Sequence, residues 1–172
     1  MARRWQPEYE GAKVGRVVLI HDVAASSATW GRVGPALAAQ GWDTLALDLP
    51  AHGTAADRID RPLDISSLAA AVIGQLPGRA DLLVGHGLGG IVALVLVGHY
   101  PDIARAVVLE DPPAHSPAGR DALIQRILLD SAFSRADPAN LAARMKGAHP
   151  HWTDGEIEQA IADLAAADVP SI

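Results

Sequence analysis

The amino-acid sequence predicts an α/β fold: a parallel sheet with helices on both faces, followed by an all-helical segment. Three observations carry this. Short apolar runs alternate with helical patterns as far as Asp111, as right-handed βαβ crossovers require. Beyond Asp111 the strand-like runs stop and only helical patterns remain. Between Leu82 and Tyr100, an apolar run, a glycine-dense turn (Gly85-His86-Gly87-Leu88-Gly89-Gly90) and an apolar helix follow directly on one another.

Each element has a local reason. Met1 to Lys13 mix Arg, Pro, Glu and Gly and read as an arm or a frayed edge strand. Val17-Val18-Leu19-Ile20 is continuously apolar, as a strand buried on both faces is, and His21-Asp22 ends it. Thr29 is the expected N-cap of a helix from Trp30 to Gln40, with Pro35 marking an irregular start and Gly41 a C-cap. Thr44 to Leu47 is the second strand, with Asp48 at its end, and Leu49-Pro50-Ala51-His52-Gly53 makes a turn. The polar stretch Thr54 to Pro62 reads as a loop, and Asp64 caps a helix from Ile65 to Leu76 that Pro77-Gly78 stops. The third strand is Leu82 to Val84 and its helix runs from Ile91 to about Tyr100, ended by Pro101. Ala106 to Leu109 is a fourth strand with Glu110-Asp111 at its tip. Helices are then expected over Asp121–Leu129, Pro138–Lys146 and Thr153 to about Ala167, the last opened by a capping box, Thr153 with Glu156.

The 172 residues suffice for one domain, divided here into a sheet-bearing core over 1–113 and a helical cap or lid over 114–172. With only 4% aromatic residues the core is expected to be Ala, Leu, Val and Ile. A net charge of −6 with acids and bases interspersed offers no basic stripe for nucleic acid. Cysteine is absent, which excludes disulfides and thiolate chemistry. The N-terminus lacks the apolar region of a secretory signal, and the longest apolar run, Ile91 to Val97, is too short to span a bilayer. These features predict a soluble, cytoplasmic domain that binds neither nucleic acid nor membrane.

The motifs together resemble the α/β-hydrolase superfamily, in its esterase, lactonase and C–C hydrolase branch. The strand ending His21-Asp22, with Ser26-Ser27 and Trp30 behind it, is similar to that family's His-Gly oxyanion strand. Asp48-Leu49-Pro50-Ala51-His52-Gly53 resembles its Asp-Leu-Pro-Gly-His-Gly loop, and Gly85 to Gly90 resembles its Gly-His-Ser-Leu-Gly-Gly nucleophile elbow. The resemblance implies hydrolysis of small-molecule esters or related acyl compounds without a cofactor or a metal. It also implies an oxyanion hole made by the N–H groups of Val23 and Leu88, with His21, His52 and His86 as framework residues that hydrogen-bond the turns.

Three departures touch the chemistry. Gly87 stands where the nucleophilic serine belongs, so no acyl-enzyme can form there. Asp22 replaces the glycine beside His21 and brings a carboxylate to where negative charge would grow. The strands that follow the cap in the family, bearing the acid and the base histidine, are not in this sequence, so an incomplete core with open sheet edges is expected. Self-association through those edges follows as a further expectation. Of the residues that are present, Asp111 is the candidate acid, and His115, His149 and His151 lie in or near the cap. The expectation is therefore a hydrolase-type scaffold that is inactive or impaired in this form.

Two other readings stay open. One is a non-catalytic relative that holds a small apolar or acyl ligand beneath the cap. The other is a dinucleotide module: Gly85-x-Gly87-x-x-Gly90 matches the fingerprint between strand and helix, and Glu110 follows Gly90 by 20 residues at the next strand's tip.

Overall fold

The described residues form a sheet of five strands: β1 (Ala2–Trp5), β2 (Gly15–Ile20), β3 (Trp42–Leu47), β4 (Ala80–His86) and β5 (Ala104–Glu110). Their spatial order is β1-β3-β2-β4-β5, in which β1 runs antiparallel to β3 and every other pair is parallel. The computed structural model describes residues 2–8, 11, 13–55, 63–113 and 117–167. Among the described residues six α-helices connect and follow the strands: α1 (Val33–Ala39), α2 (Ile65–Gln75), α3 (Leu88–His99), α4 (Pro117–Ala136), α5 (Pro138–Ala148) and α6 (Asp154–Ala166).

Both faces of β2 are covered, which is why its sequence is continuously apolar rather than alternating. Val18 and Ile20 join Leu45, Leu47 and Leu83 against Leu68 and Val72 of α2 and Val92 and Leu96 of α3. Val17 and Leu19 point the other way and pack with Ala46, Trp30 and Leu37. The chain's arm is thus an edge strand, pinned by charge. The buried Asp43 carboxylate accepts from Arg4 (2.8 Å), Lys13 (3.0 Å) and Arg16 (3.1 Å). Arg4 foremost, against the opposing effect of burial, holds that carboxyl far below the usual carboxylate range.

Helix boundaries differ from expectation in three places. The helix expected from Trp30 begins at Val33, after a 3-10 turn over Ser27–Gly31 that Ser26, not Thr29, caps through Ala28 N–H (3.2 Å). Pro35 is the reason: it has no N–H to give to a carbonyl one turn back, so it fits only within a helix's first turn. Helix α3 starts at Leu88 rather than Ile91, because Gly87 itself is the cap residue. Helix α4 is longer than its apolar pattern indicated, running from Pro117 to Ala136.

Helices α4 to α6 pack on one another and onto the loop that leaves β2. Leu141, Leu164 and Ala167 bury Ala24, with Val23, Ile127, Met145 and Ile161 around them. The Thr153–Glu156 capping box is formed in both directions and starts α6. Most of the loop expected over Thr54 to Pro62, and His115, lie outside the described residues. At the far side of the sheet, no further strand pairs with β5 among the described residues, and Val108 and Leu109 keep 47% and 39% of their surface exposed. Among the described residues no helix is long and apolar enough to cross a membrane.

Candidate functional site

Sheet register builds the site. Ile20 of β2 lies opposite Gly85 of β4 and opposite Leu47 of β3. The chain therefore leaves all three strands at one level, bringing His21-Asp22, Asp48-Leu49 and His86-Gly87 together at the carboxyl ends, where open α/β sheets place their ligands.

Two of these strand ends are locked by side chains. His21 is fully buried; its Nδ1–H donates to the Asp22 carbonyl (2.7 Å) and its Nε2 accepts from Leu49 N–H (3.0 Å). Both ring nitrogens are thus committed, and burial, aided by His52, lowers its pKa to about 4. The ring is a neutral strut between β2 and the loop after β3. Asp48, also buried, accepts from Ser27 N–H (2.7 Å), Thr54 N–H (3.1 Å) and the Thr54 hydroxyl (2.5 Å). His52 is held through Nδ1 to the Pro50 carbonyl (2.8 Å), and burial lowers its pKa too. His86 sits half-buried at the end of β4. His21 and His52 hydrogen-bond the turns they stand in, whereas the His86 side chain has no hydrogen bond among the described residues.

The turn after β4 has the geometry of an elbow. Gly87 adopts φ +51°, ψ −117°, a conformation that side-chain-bearing residues take only under strain. Its N–H donates to the Glu110 carbonyl (2.9 Å), tying the turn to β5. Gly89 faces the Ile20 and His21 carbonyl groups so closely that a Cβ there would overlap them. The glycines of this stretch are therefore accounted for by helix–strand contact.

At the centre of the site, the Val23 and Leu88 N–H groups converge on one point, and that point is occupied. Oδ1 of Asp22 accepts from Val23 N–H (2.7 Å) and from Leu88 N–H (2.7 Å), the latter at the positive end of α3. A Cβ built on Gly87 would fall inside the same Asp22 carboxyl group. Two charge-seeking amides and an unusual glycine thus share one occupant. The amides that would receive a pyrophosphate in the dinucleotide reading are already bonded within the chain.

Asp111 behaves differently from the rest of the candidate set. It stands exposed at the tip of β5 with φ +43°, and among the described residues it has no hydrogen bond to a histidine. His149 stacks on Trp152 at 4.1 Å and is exposed.

One acidic residue was not singled out from the sequence. Asp163 of α6 is buried, accepting from the Ser26 hydroxyl (2.9 Å) and from Gln159 (3.0 Å), and burial raises its pKa. It lines, with Arg3, Ser26, Asp48 and Thr54, a cavity of about 200 Å³ between α6 and the β2 and β3 loops. Its position on the helix, next to the apolar stripe of Ile157, Ile161 and Leu164, carried no signal of a polar partner 137 residues away.

Residues 15–154 match the family model described as alpha/beta hydrolase fold. A pimeloyl-[acyl-carrier protein] methyl ester esterase of Neisseria meningitidis serogroup C is 35% identical over 166 residues, covering 92% of this chain and 63% of the relative. Its serogroup A counterpart is 31% identical over 176 residues, covering 92% of this chain and 52% of the relative. An esterase of Mycobacterium tuberculosis is 34% identical over 113 residues, 64% of this chain and 35% of that protein. Among solved structures, E-2-(acetamidomethylene)succinate hydrolase superposes with a TM-score of 0.73 at 23% identity, over 94% of this chain and 59% of that one. A thermophilic esterase from Thermogutta terrifontis superposes with a TM-score of 0.68 at 18% identity, over 98% and 62% respectively. The chain spans between half and two-thirds of the length of the two Neisseria relatives.

Proposed function

The chain belongs to the α/β hydrolase fold family, and from that premise we propose that it is a member of the ester-hydrolysing type whose own elbow binds without turning over. Its Neisseria relatives are named as pimeloyl-[acyl-carrier protein] methyl ester esterases, which supports carboxylic esters as the substrate class of the type. Acyl transfer on this scaffold needs a side chain at the elbow to attack the carbonyl and two free N–H groups to receive the oxyanion. Residue 87 has no side chain, and the N–H groups of Val23 and Leu88 are spent on Asp22. The single observation that carries the reading is that bonded carboxylate: it removes the electrostatic stabilisation that survives loss of a nucleophile in other hydrolases.

Two chromogenic esters, p-nitrophenyl acetate and p-nitrophenyl butyrate, together with monomethyl pimelate, test this directly. The 172-residue chain should release product no faster than buffer. Saturable hydrolysis at about 1 s⁻¹ or faster, in the ordinary enzymatic range, would defeat the proposal.

A further inference from the structure

The Asp22 carboxylate has two oxygens, and the fold uses one. Oδ1 takes both converging N–H groups. Oδ2 has no hydrogen-bond partner among the described residues, and Asp22 is only half-buried, so that oxygen meets solvent. The strand ends on that side of the sheet carry further carboxylates. Glu110 lies opposite His86 in the β4–β5 register, and Asp111 follows it; both are exposed. His21 and His52 are both held toward their neutral forms by burial, so neither supplies a compensating cation.

We propose that this site has inverted polarity. In place of two hydrogen-bond donors for a carbonyl oxygen, it presents a fixed carboxylate oxygen and takes a ligand that donates: a primary ammonium or a comparable N–H group. The inference rests on the reading above that the end of β4 is the ligand-binding end of the sheet.

The physical argument is one of preorganisation. A side-chain carboxylate normally loses rotamer freedom on binding a cation, which is why exposed pairs are weak. Asp22 is already immobilised by two short hydrogen bonds, so Oδ2 is aimed before any ligand arrives. Gly87 provides the space: a side chain at residue 87 would collide with that carboxyl group. The same arrangement repels carboxylates and leaves no donor for an ester carbonyl.

The test uses the full chain, amide NMR and two small probes of matched size, n-butylammonium and butyrate. Butylammonium should shift the Val23 and Leu88 amide resonances saturably, at concentrations of about 1–50 mM expected for one half-exposed pair. Butyrate should leave them unmoved. Asp22→Asn preserves the acceptor to both amides while replacing the free oxygen by an NH2 group, and should weaken butylammonium at least about tenfold. Asp22→Gly should abolish the amine response and let butyrate shift the two amides. Butyrate shifting them in the unaltered chain, or amine shifts that persist in both variants, would overturn the proposal. Those outcomes leave the absence of ester turnover untouched, and ester turnover by the unaltered chain would leave these shifts to be judged on their own.

Discussion

Asp22 and Gly87 occupy one volume: the carboxyl group of the first stands where any side chain of the second would have to be. The register that sets Ile20 opposite Gly85 brings them there, although 64 other residues separate them in the chain. Such a pair should behave as a coupled unit under mutation. Gly87→Ser faces both a strained backbone conformation and overlap with Asp22, and is expected to cost about 1–3 kcal/mol. Asp22→Gly/Gly87→Ser should recover the part due to overlap, giving a coupling of about 1–2 kcal/mol in a urea-denaturation cycle. Strict additivity of the two single changes would show that the two groups do not share space. Neither the single serine variant nor the double is expected to hydrolyse p-nitrophenyl acetate strongly, because both nitrogens of His21 are committed elsewhere.

His21 should make stability depend on pH. Its folded pKa, about 4, lies below the roughly 6.5 of an unfolded histidine. Between those values the unfolded chain binds a proton that the folded chain refuses, so the unfolded state gains as pH falls. The contribution is therefore complete above about pH 6.5 and drains away toward pH 4, by roughly 3 kcal/mol over the whole window. His52, shifted the same way, adds to it. Urea midpoints measured from pH 7.5 to 4.5 should fall steadily, and the fall should be visibly shallower in His21→Gln. An equal slope in that variant would place the pH dependence elsewhere.

Asp163 carries the opposite sign. Its pKa is raised by burial, so the ionised form is the disfavoured one in the folded chain, and stability from this group declines as pH rises through its shifted value. Asp163→Asn removes the charge and keeps one acceptor oxygen, Oδ1 for Gln159, while its NH2 replaces Oδ2 and donates to the Ser26 hydroxyl, which can also accept. At pH 7 it should raise the thermal midpoint, and below pH 4 it should change little. A lower midpoint at pH 7 would mean that the carboxylate has a cationic partner important enough to outweigh desolvation.

Among the described residues nothing pairs with the outer side of β5, and in the 172-residue chain that side is expected to pair with a second copy. Because the Glu110 carbonyl faces β4, alternation along the parallel ladder turns the peptide groups of Arg105, Val107 and Leu109 outward. An antiparallel partner strand centred on Val107 sets Arg105 opposite Leu109 and diagonal to Asp111 of the other copy, on the same face of the sheet, whereas a parallel one would set like charges together. The edge has no proline or lysine to block it. Sedimentation should show a concentration-dependent dimer, with hydrogen exchange at the three outward amides slowing as it forms. Arg105→Glu should weaken the dimer and Arg105→Glu/Asp111→Arg should restore it. A monomer at all concentrations, or a dimer indifferent to both variants, would rule this edge out.

Much of the architecture was legible without coordinates because it depends on local chemistry. Continuous apolar runs mark strands covered on both faces, Asp64 and Thr153 announce helix starts, and the glycine-dense turn announces a tight passage from strand to helix. The order of those signals identified the family, and the substitutions at residues 22 and 87 marked where its chemistry departs. What the sequence alone could not settle are relationships that depend on which strand lies beside which. Only sheet register shows that the Asp22 carboxylate itself fills the converging amides and the space above Gly87. Only the docking of α6 shows that Asp163 meets Ser26. Hydrogen bonds between residues far apart in the chain are set by packing, and packing has no period of its own to be read along a sequence.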